Sequence, residues 1–396
     1  MLPSETRSVA ALVALYTVRM LGLFMVLPVL SLSGDEYRGS SIFLLGLALG
    51  VYGLTQALLQ IPFGILSDRY GRKPLIAIGL LIFAAGSWVA ATADTVEMLI
   101  IGRALQGAGA IAGVVMAMVA DLTSDANRTK AMASIGASIG LTFALSLFIG
   151  PMLMSFGGIR WIFWVTLCLS LVGLIILFWL IPAVPVDQSK RSLAWRDLQS
   201  ILTDVHLSRL NIGIFVLHAV LMASFVAFPL MLEDAAIPQK HHAWVYLGAM
   251  VLAFLIMLPL IIIGERHRQL KRIFLSVLLL TVISLLALAF ANFDAWSIIG
   301  AMMMFFVGFN YLEATLPSLM SKTVAADKRG AGSGIFSTSQ FLGAACGGLL
   351  GGWLYEFAGR STVMLVCAIA MVLWWLIALG MVVPQRSKIA RENVVA

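Results

Sequence analysis

Residues 64–75 read Gly64-Ile-Leu-Ser-Asp68-Arg69-Tyr-Gly71-Arg72-Lys73-Pro-Leu75. Four charged residues crowd into six positions, while the flanking stretches, 40–67 and 75–93, carry no charge. Each flank approaches or exceeds the ~20 apolar residues that a helix needs to cross a bilayer. The loop therefore reads as the turn between two membrane spans. The same alternation, followed outward in both directions, marks apolar segments at 9–33, 40–67, 75–93, 98–120, 131–154, 161–182, 210–232, 243–264, 273–292, 296–320, 331–354 and 361–383. Composition agrees: of 396 residues 61% are apolar and 11% charged, where a soluble chain carries roughly a quarter charged. This excludes disordered, collagen-like, disulfide-rich and ordinary cytosolic classes. The first segment is longer than a signal-peptide core and is read as a retained span.

Loop charges set orientation. Of 26 Lys and Arg, 20 fall in the amino-terminal segment, the loops after even-numbered spans and the tail, and four (Arg38, Arg160, Lys240, Arg360) fall in the alternate loops. The positive-inside rule then places both termini in the cytoplasm. The formal charge of +7 is thus a topology signal, and no nucleic-acid partner is expected. Cys168, Cys346 and Cys367 lie in apolar runs without a CxxC pair, so neither disulfides nor a metal site is expected.

The longest polar stretch, 183–209, follows the sixth span and divides the chain into bundles at 1–182 and 210–383, with a tail at 384–396. Within it Trp195, Leu198, Ile201, Leu202 and Val205 recur at helical spacing; a surface amphipathic helix and an irregular linker are both compatible. The halves echo one another. Pro62 and Asp68-Arg69 match Pro259 and Glu265-Arg266 at an offset of 197, and Gly107, Arg128, Gly150 and Gly158 match Gly308, Arg329, Gly351 and Gly359 at 201. Two parallel six-helix repeats form the architecture of one large transporter class. The expected fold is therefore an all-α membrane protein of 12 transmembrane helices in two six-helix bundles.

The 64–75 loop resembles the signature loop of the major facilitator superfamily, GxLaDrxGrkxl, at nearly every position. Leu99-Ile-Ile-Gly-Arg103-Ala-Leu-Gln106-Gly107-Ala-Gly109 resembles that superfamily's second signature, and Gly150 and Pro151 match its antiporter signature GxxxGPxxGG, whose first glycine is Ser146 here and whose closing pair is Met154-Ser155. With RMLGLFMVLPVL in the first span and NYLEATLPSL in the tenth, the chain is similar to the YajR-like, twelve-span drug:proton antiporter branch. The resemblance implies that Gly64, Asp68, Arg69, Gly71 and Arg72 form a cytoplasmic latch. Asp68 would be linked through Arg72 to Asp121, at the end of span 4.

Charge inside the membrane is costly and usually functional. Away from span ends, ionisable groups occur as Arg19 in span 1, Arg103 in span 4, His218 in span 7 and Glu313 in span 10. The resemblance implies that spans 1, 4, 7 and 10 line a central cavity. Glu313, on one face with Asn310 and Pro317, is the first choice for proton coupling, with His218, Arg19 and Arg103 around it. A permanent structural pairing of Glu313 with Arg19 or His218 is the other reading. Tyr52, Gln56 and Gln60, four residues apart, suit a cavity wall together with Asn310.

No GxxxxGK[ST] run is present, so ATP is not expected as the energy source; the resemblance to drug:proton antiporters implies a proton gradient, and neither a cofactor nor enzymatic chemistry is expected. The functional expectation is a monomeric inner (plasma) membrane transporter that exports a small amphipathic or drug-like molecule by alternating access. Proton-coupled uptake of a sugar or carboxylate, and a non-transporting membrane sensor, are the alternatives.

Overall fold

The computed structural model describes residues 3–182, 195–291, 294–325 and 328–382. The start of the expected linker, 183–194, and the expected tail, 384–396, lie outside them. The described residues are almost wholly helical, with a single isolated bridge between Arg38 and Thr95. Spans 1 to 3 are Pro3–Phe24, Ile42–Tyr70 and Arg72–Ala91. Span 4 is Val96–Ala108 with Ala112–Asp121, and spans 5 and 6 are Asp125–Gly157 and Ile159–Leu180. A nine-residue helix, Trp195–Thr203, then precedes span 7, Val205–Asp234. Spans 8 to 10 are Gln239–Arg266, Leu270–Phe290 and Ala295–Thr323.

A continuous helical stretch, Arg329–Leu379, holds the last two spans, divided at Gly359, whose φ of 77° and ψ of 173° break the helix. Gly158, between spans 5 and 6, has the matching φ of 75° and ψ of −177°. These two glycines lie 201 residues apart. The repeat seen in sequence is thus a repeat of backbone conformation at a place where a side chain would be strained. Eleven described helices are long and apolar enough to cross a membrane, with spans 11 and 12 counted as one.

Capping side chains set several helix starts. Ser41, Thr95, Asp204 and Asp294 each accept from a backbone N–H in the first turn that follows, satisfying donors that the helix leaves unpaired. Two boundaries differ from the sequence expectation. Span 1 begins at Pro3 and ends at Phe24 rather than covering 9–33, because Pro28 has no N–H to donate to the Phe24 carbonyl, which accepts from Leu27 N instead, and the chain continues in short 3-10 turns. Span 4 is interrupted at 109–111, where glycine lowers helix propensity. The linker contains the amphipathic helix: Ile201 is buried, and Lys328 donates to the Ser200 hydroxyl at 3.0 Å.

An even number of crossings puts residues 3 and 382 on one side, here called the terminal face. Near the opposite face, spans 2 and 11 meet backbone to backbone. A Cβ on Gly46 would stand 2.6 Å from the Gly348 carbonyl oxygen, one on Gly50 would stand 2.6 Å from that of Ala345, and one on Gly53 would stand 2.7 Å from that of Phe341. Phe43 N also donates to Glu356 at 2.7 Å across this contact. Gly343, Gly347 and Gly351, on another side of span 11, press on Phe215, Ala219 and Ala223 of span 7. Toward the terminal face the contact ends: Gly64 on span 2, Gly334 on span 11 and Gly136 on span 5 have nothing within 4 Å of an added Cβ. Small residues thus bring the halves together at one face, and the halves part toward the other.

Candidate functional site

Two separate polar clusters occupy the interior, one in each half. In the first, Arg19 is buried and its Nη2 donates to the Gly109 carbonyl at 3.0 Å, to the Gln106 carbonyl at 3.4 Å and to Gln56 Oε1 at 3.5 Å. The first two acceptors lie where span 4 is interrupted. The helix break therefore exposes carbonyls at a helix carboxy-terminal end, and a guanidinium fills that electronegative site. The Arg19 guanidinium also sits 3.6 Å from the Phe83 ring centroid, a cation–π geometry.

Arg103, fully buried, donates to Gln106 Oε1 at 2.7 Å and to the Ala48 carbonyl at 3.3 Å, while Gln106 Nε2 donates to Ser87 Oγ at 2.8 Å. Tyr52 Oη donates to Gln56 Oε1 at 3.2 Å, and Gln56 Nε2 to Gln60 Oε1 at 3.4 Å. Arg19, Arg103, Tyr52, Gln56 and Gln60 therefore belong to one network, and all five are buried. Arg19 Nε and Nη1 and Arg103 Nη2 have no hydrogen-bond partner among the described residues.

The second cluster joins spans 7, 10 and 11. His218 Nε2 lies 3.7 Å from Glu313 Oε2. Gln340 Nε2 lies 2.8 Å from His218 Nε2 and donates to Glu313 Oε1 at 3.4 Å. Among the described residues, neither Arg19 nor Arg103 forms an ion pair with Glu313, so the four intramembrane ionisable groups fall into two pairs. Asn310 turns elsewhere, donating to the Phe306 carbonyl at 2.8 Å and approaching Met250 Sδ of span 8 at 3.7 Å. Gln340 is the functional candidate that sequence reading missed. A search for ionisable groups passes over an uncharged amide, and the visible signal is its place after Ser337-Thr338-Ser339 in an otherwise apolar, small-residue span.

Buried aromatics close this cluster from the opposite face. Phe143 of span 5 packs at 5.1 Å on Phe24, 6.2 Å on Phe225 and 5.7 Å on Phe309, crossing between the halves. Along span 10, Phe309 lies one turn toward the opposite face from Glu313. The Glu313 side chain is nevertheless 28% exposed, against 12% for His218. Its Oε2 is itself buried and has no hydrogen-bond partner among the described residues.

At the terminal face Arg72 bonds two carboxylates: Nη1 lies 2.5 Å from Asp68 Oδ1, and Nε lies 3.2 Å from Asp121 Oδ2. Nη1 also donates to Ser67 Oγ at 2.5 Å. Gly71 makes the turn possible with φ of 96°, ending span 2 and starting span 3. Arg69 is exposed, with its guanidinium 5.5 Å from the Tyr70 ring. In the second half Lys322, 201 residues after Asp121, pairs with Glu265 at 3.3 Å. The equivalent place is therefore bridged again, with the charge at the span end reversed.

Twelve apolar spans in two repeats, held by backbone-close glycine contacts around buried charge, define a helical membrane transporter. A family model described as Major Facilitator Superfamily matches residues 12–345 and 210–394, and the chain belongs to that superfamily, a family of transporters rather than enzymes. It is 44% identical over 398 residues to the "Inner membrane transport protein YajR" of Escherichia coli K12, covering 100% of this chain and 88% of that one. It is 28% identical over 358 residues to the "Multidrug resistance protein MdtH" of Aeromonas salmonicida, covering 86% of each. The crystal structure of the human organic anion transporter MFSD10 superposes with a TM-score of 0.72 at 18% identity, over 95% of this chain and 100% of that one, which shows the fold alone.

Proposed function

We propose that the chain exports a small amphipathic molecule in exchange for protons, by alternating access of its two bundles. The observation that carries the reading is Glu313: a carboxyl within a membrane span, 3.7 Å from a histidine and partly exposed. Intramembrane carboxyl and imidazole groups are the usual components of proton relays. The printed names of the relatives, an inner membrane transport protein and a multidrug resistance protein, support an inner-membrane exporter. The loop charges support termini in the cytoplasm, which makes the terminal face cytoplasmic and this state inward-facing.

In this reading Glu313 takes a proton from the far side when the bundles rock and releases it to the cytoplasm, with His218 as partner. Tyr52, Gln56, Gln60 and Asn310 belong to the substrate route, and Arg19 and Arg103 shape the field around it. Asp68, Arg72 and Asp121, with Gly64 and Gly71, latch the halves in the alternate state. The transporter works as a monomer, without a cofactor. Proton-coupled uptake of a carboxylate is a second reading, favoured by the unpartnered N–H groups of Arg19 and Arg103.

The test uses inside-out vesicles and ethidium as an amphipathic probe. Acidifying the lumen should drive ethidium uptake in the wild type and fail to do so in Glu313→Gln, with ethidium binding retained. Gradient-driven uptake that survives this substitution unchanged would overturn the coupling assignment.

A further inference from the structure

We infer that Gln340 is a positioning residue whose amide turns when His218 gains a proton, so that Glu313 and the span 2–11 contact respond to that proton. The inference rests on the proposed reading that His218 and Glu313 carry the coupled proton. It starts from hydrogen-bond chemistry. His218 Nδ1 lies 3.2 Å from the Ile214 carbonyl, which can only accept, so Nδ1 carries a hydrogen. In the neutral ring Nε2 then presents a lone pair and needs a donor.

Gln340 Nε2 is that donor, at 2.8 Å. The same nitrogen bears a second hydrogen, and Glu313 Oε1 stands 3.4 Å away to accept it. This assigns the amide orientation, with nitrogen toward the pair and oxygen away. The direct His218–Glu313 separation of 3.7 Å is too long for a hydrogen bond, so one amide holds both groups.

When His218 takes the proton that Glu313 has carried from the far side, the Glu313 O–H bond breaks and one new bond, Nε2–H, forms. Two N–H groups then point at each other, and the amide must turn so that Gln340 Oε1 accepts from the imidazolium. Glu313 Oε1 loses its donor in the same movement and faces a cation instead. Glu313 is the one ionisable side chain within ion-pair distance of His218 among the described residues. The other neighbour from span 10 is the Phe309 ring, at 6.0 Å. Arg19 and Arg103 make their bonds within the first half.

Gln340 also adjoins the contact between the halves. The carbonyl of the next residue, Phe341, is the atom that a Cβ on Gly53 would meet at 2.7 Å, and Gly348 and Gly352 continue the contact along span 11. Reorientation of Gln340 therefore acts at the end of the glycine contact, where the halves begin to part.

The experiment uses the full chain in nanodiscs, with ¹⁵N-labelled histidine and spin labels on the two halves at Ser40→Cys and Phe357→Cys. The His218 signal is identified by its loss in His218→Gln. Wild type should show the Nδ1–H tautomer when neutral, and its label separation should titrate together with His218. In Gln340→Leu, and in Gln340→Met as a second variant of similar length, His218 should still titrate while the pH-driven population shift falls about fivefold or more, the consequence of one lost hydrogen bond. An Nε2–H tautomer in wild type, or an undiminished pH response in both variants, would overturn the role of Gln340. A wild type whose label separation ignores pH would overturn the coupling reading and this inference with it.

Discussion

Substitution of Gly348 by alanine tests whether the glycine contact sets which face is closed. The added Cβ would lie 2.6 Å from Gly50 N and 2.7 Å from the Gly46 carbonyl oxygen. Ordinary contact begins at 3.4 Å, so spans 2 and 11 must separate by about 0.8 Å, and the atoms in the way are backbone with no rotamer to yield. Overpacking of this kind costs about 1–3 kcal/mol. The gain in helix propensity from glycine to alanine cancels, because span 11 stays helical in both states. The whole cost therefore falls on the state closed at the opposite face, and its population relative to the alternate state should drop by about 5- to 150-fold. Spin labels at positions 40 and 357, in a background lacking Cys168, Cys346 and Cys367, report the separation directly. Gly300→Ala, at a site with nothing within 4 Å, is the control and should leave the distribution unchanged. A Gly348→Ala distribution identical to wild type would refute the reasoning.

The remaining predictions concern the two arginine sites. Arg72→Ala leaves Asp68 and Asp121 facing the same vacated position, and turnover of the ethidium probe should fall at least about tenfold with the folded fraction retained; turnover near wild type would remove the latch from the mechanism. Arg19→Lys loses the planar fork that reaches the Gln106 and Gly109 carbonyls together. With charge-assisted hydrogen bonds worth about 1.5–3 kcal/mol each, it should lower the thermal unfolding midpoint in detergent. An unchanged midpoint would mean that the interruption in span 4 does not depend on Arg19.

How far the sequence could be read depends on the range of the interaction. Segments 40–67 and 75–93 were legible as spans because the apolar run and the charged loop between them act locally. Pro28 interrupts the hydrogen-bond ladder after span 1 by a local rule as well, but an apolar count runs past it. The interruption of span 4 was not legible. Gly107 and Gly109 permit it, yet the arginine that binds the freed carbonyls is about 90 residues away in the chain. The pairing of Glu265 with Lys322 shows the same limit: offset matching aligned Glu265 with Asp68 and Lys322 with Asp121, whereas their contact needed the folded distance.

Composition and pattern by themselves determined that this chain lives in lipid, crosses about twelve times and carries two related halves. Those properties follow from the free energy of moving each segment from water to hydrocarbon, a sum over neighbouring residues. Tertiary structure alone decided that Arg19 and Arg103 form one cluster while His218, Glu313 and Gln340 form another. It also decided that the halves touch through Gly46, Gly50, Gly348 and Gly352 at one face and part at the other. Hydrogen bonds and backbone contacts act over about 3 Å, and which residues come within that range is set by the packing of helices far apart in the chain.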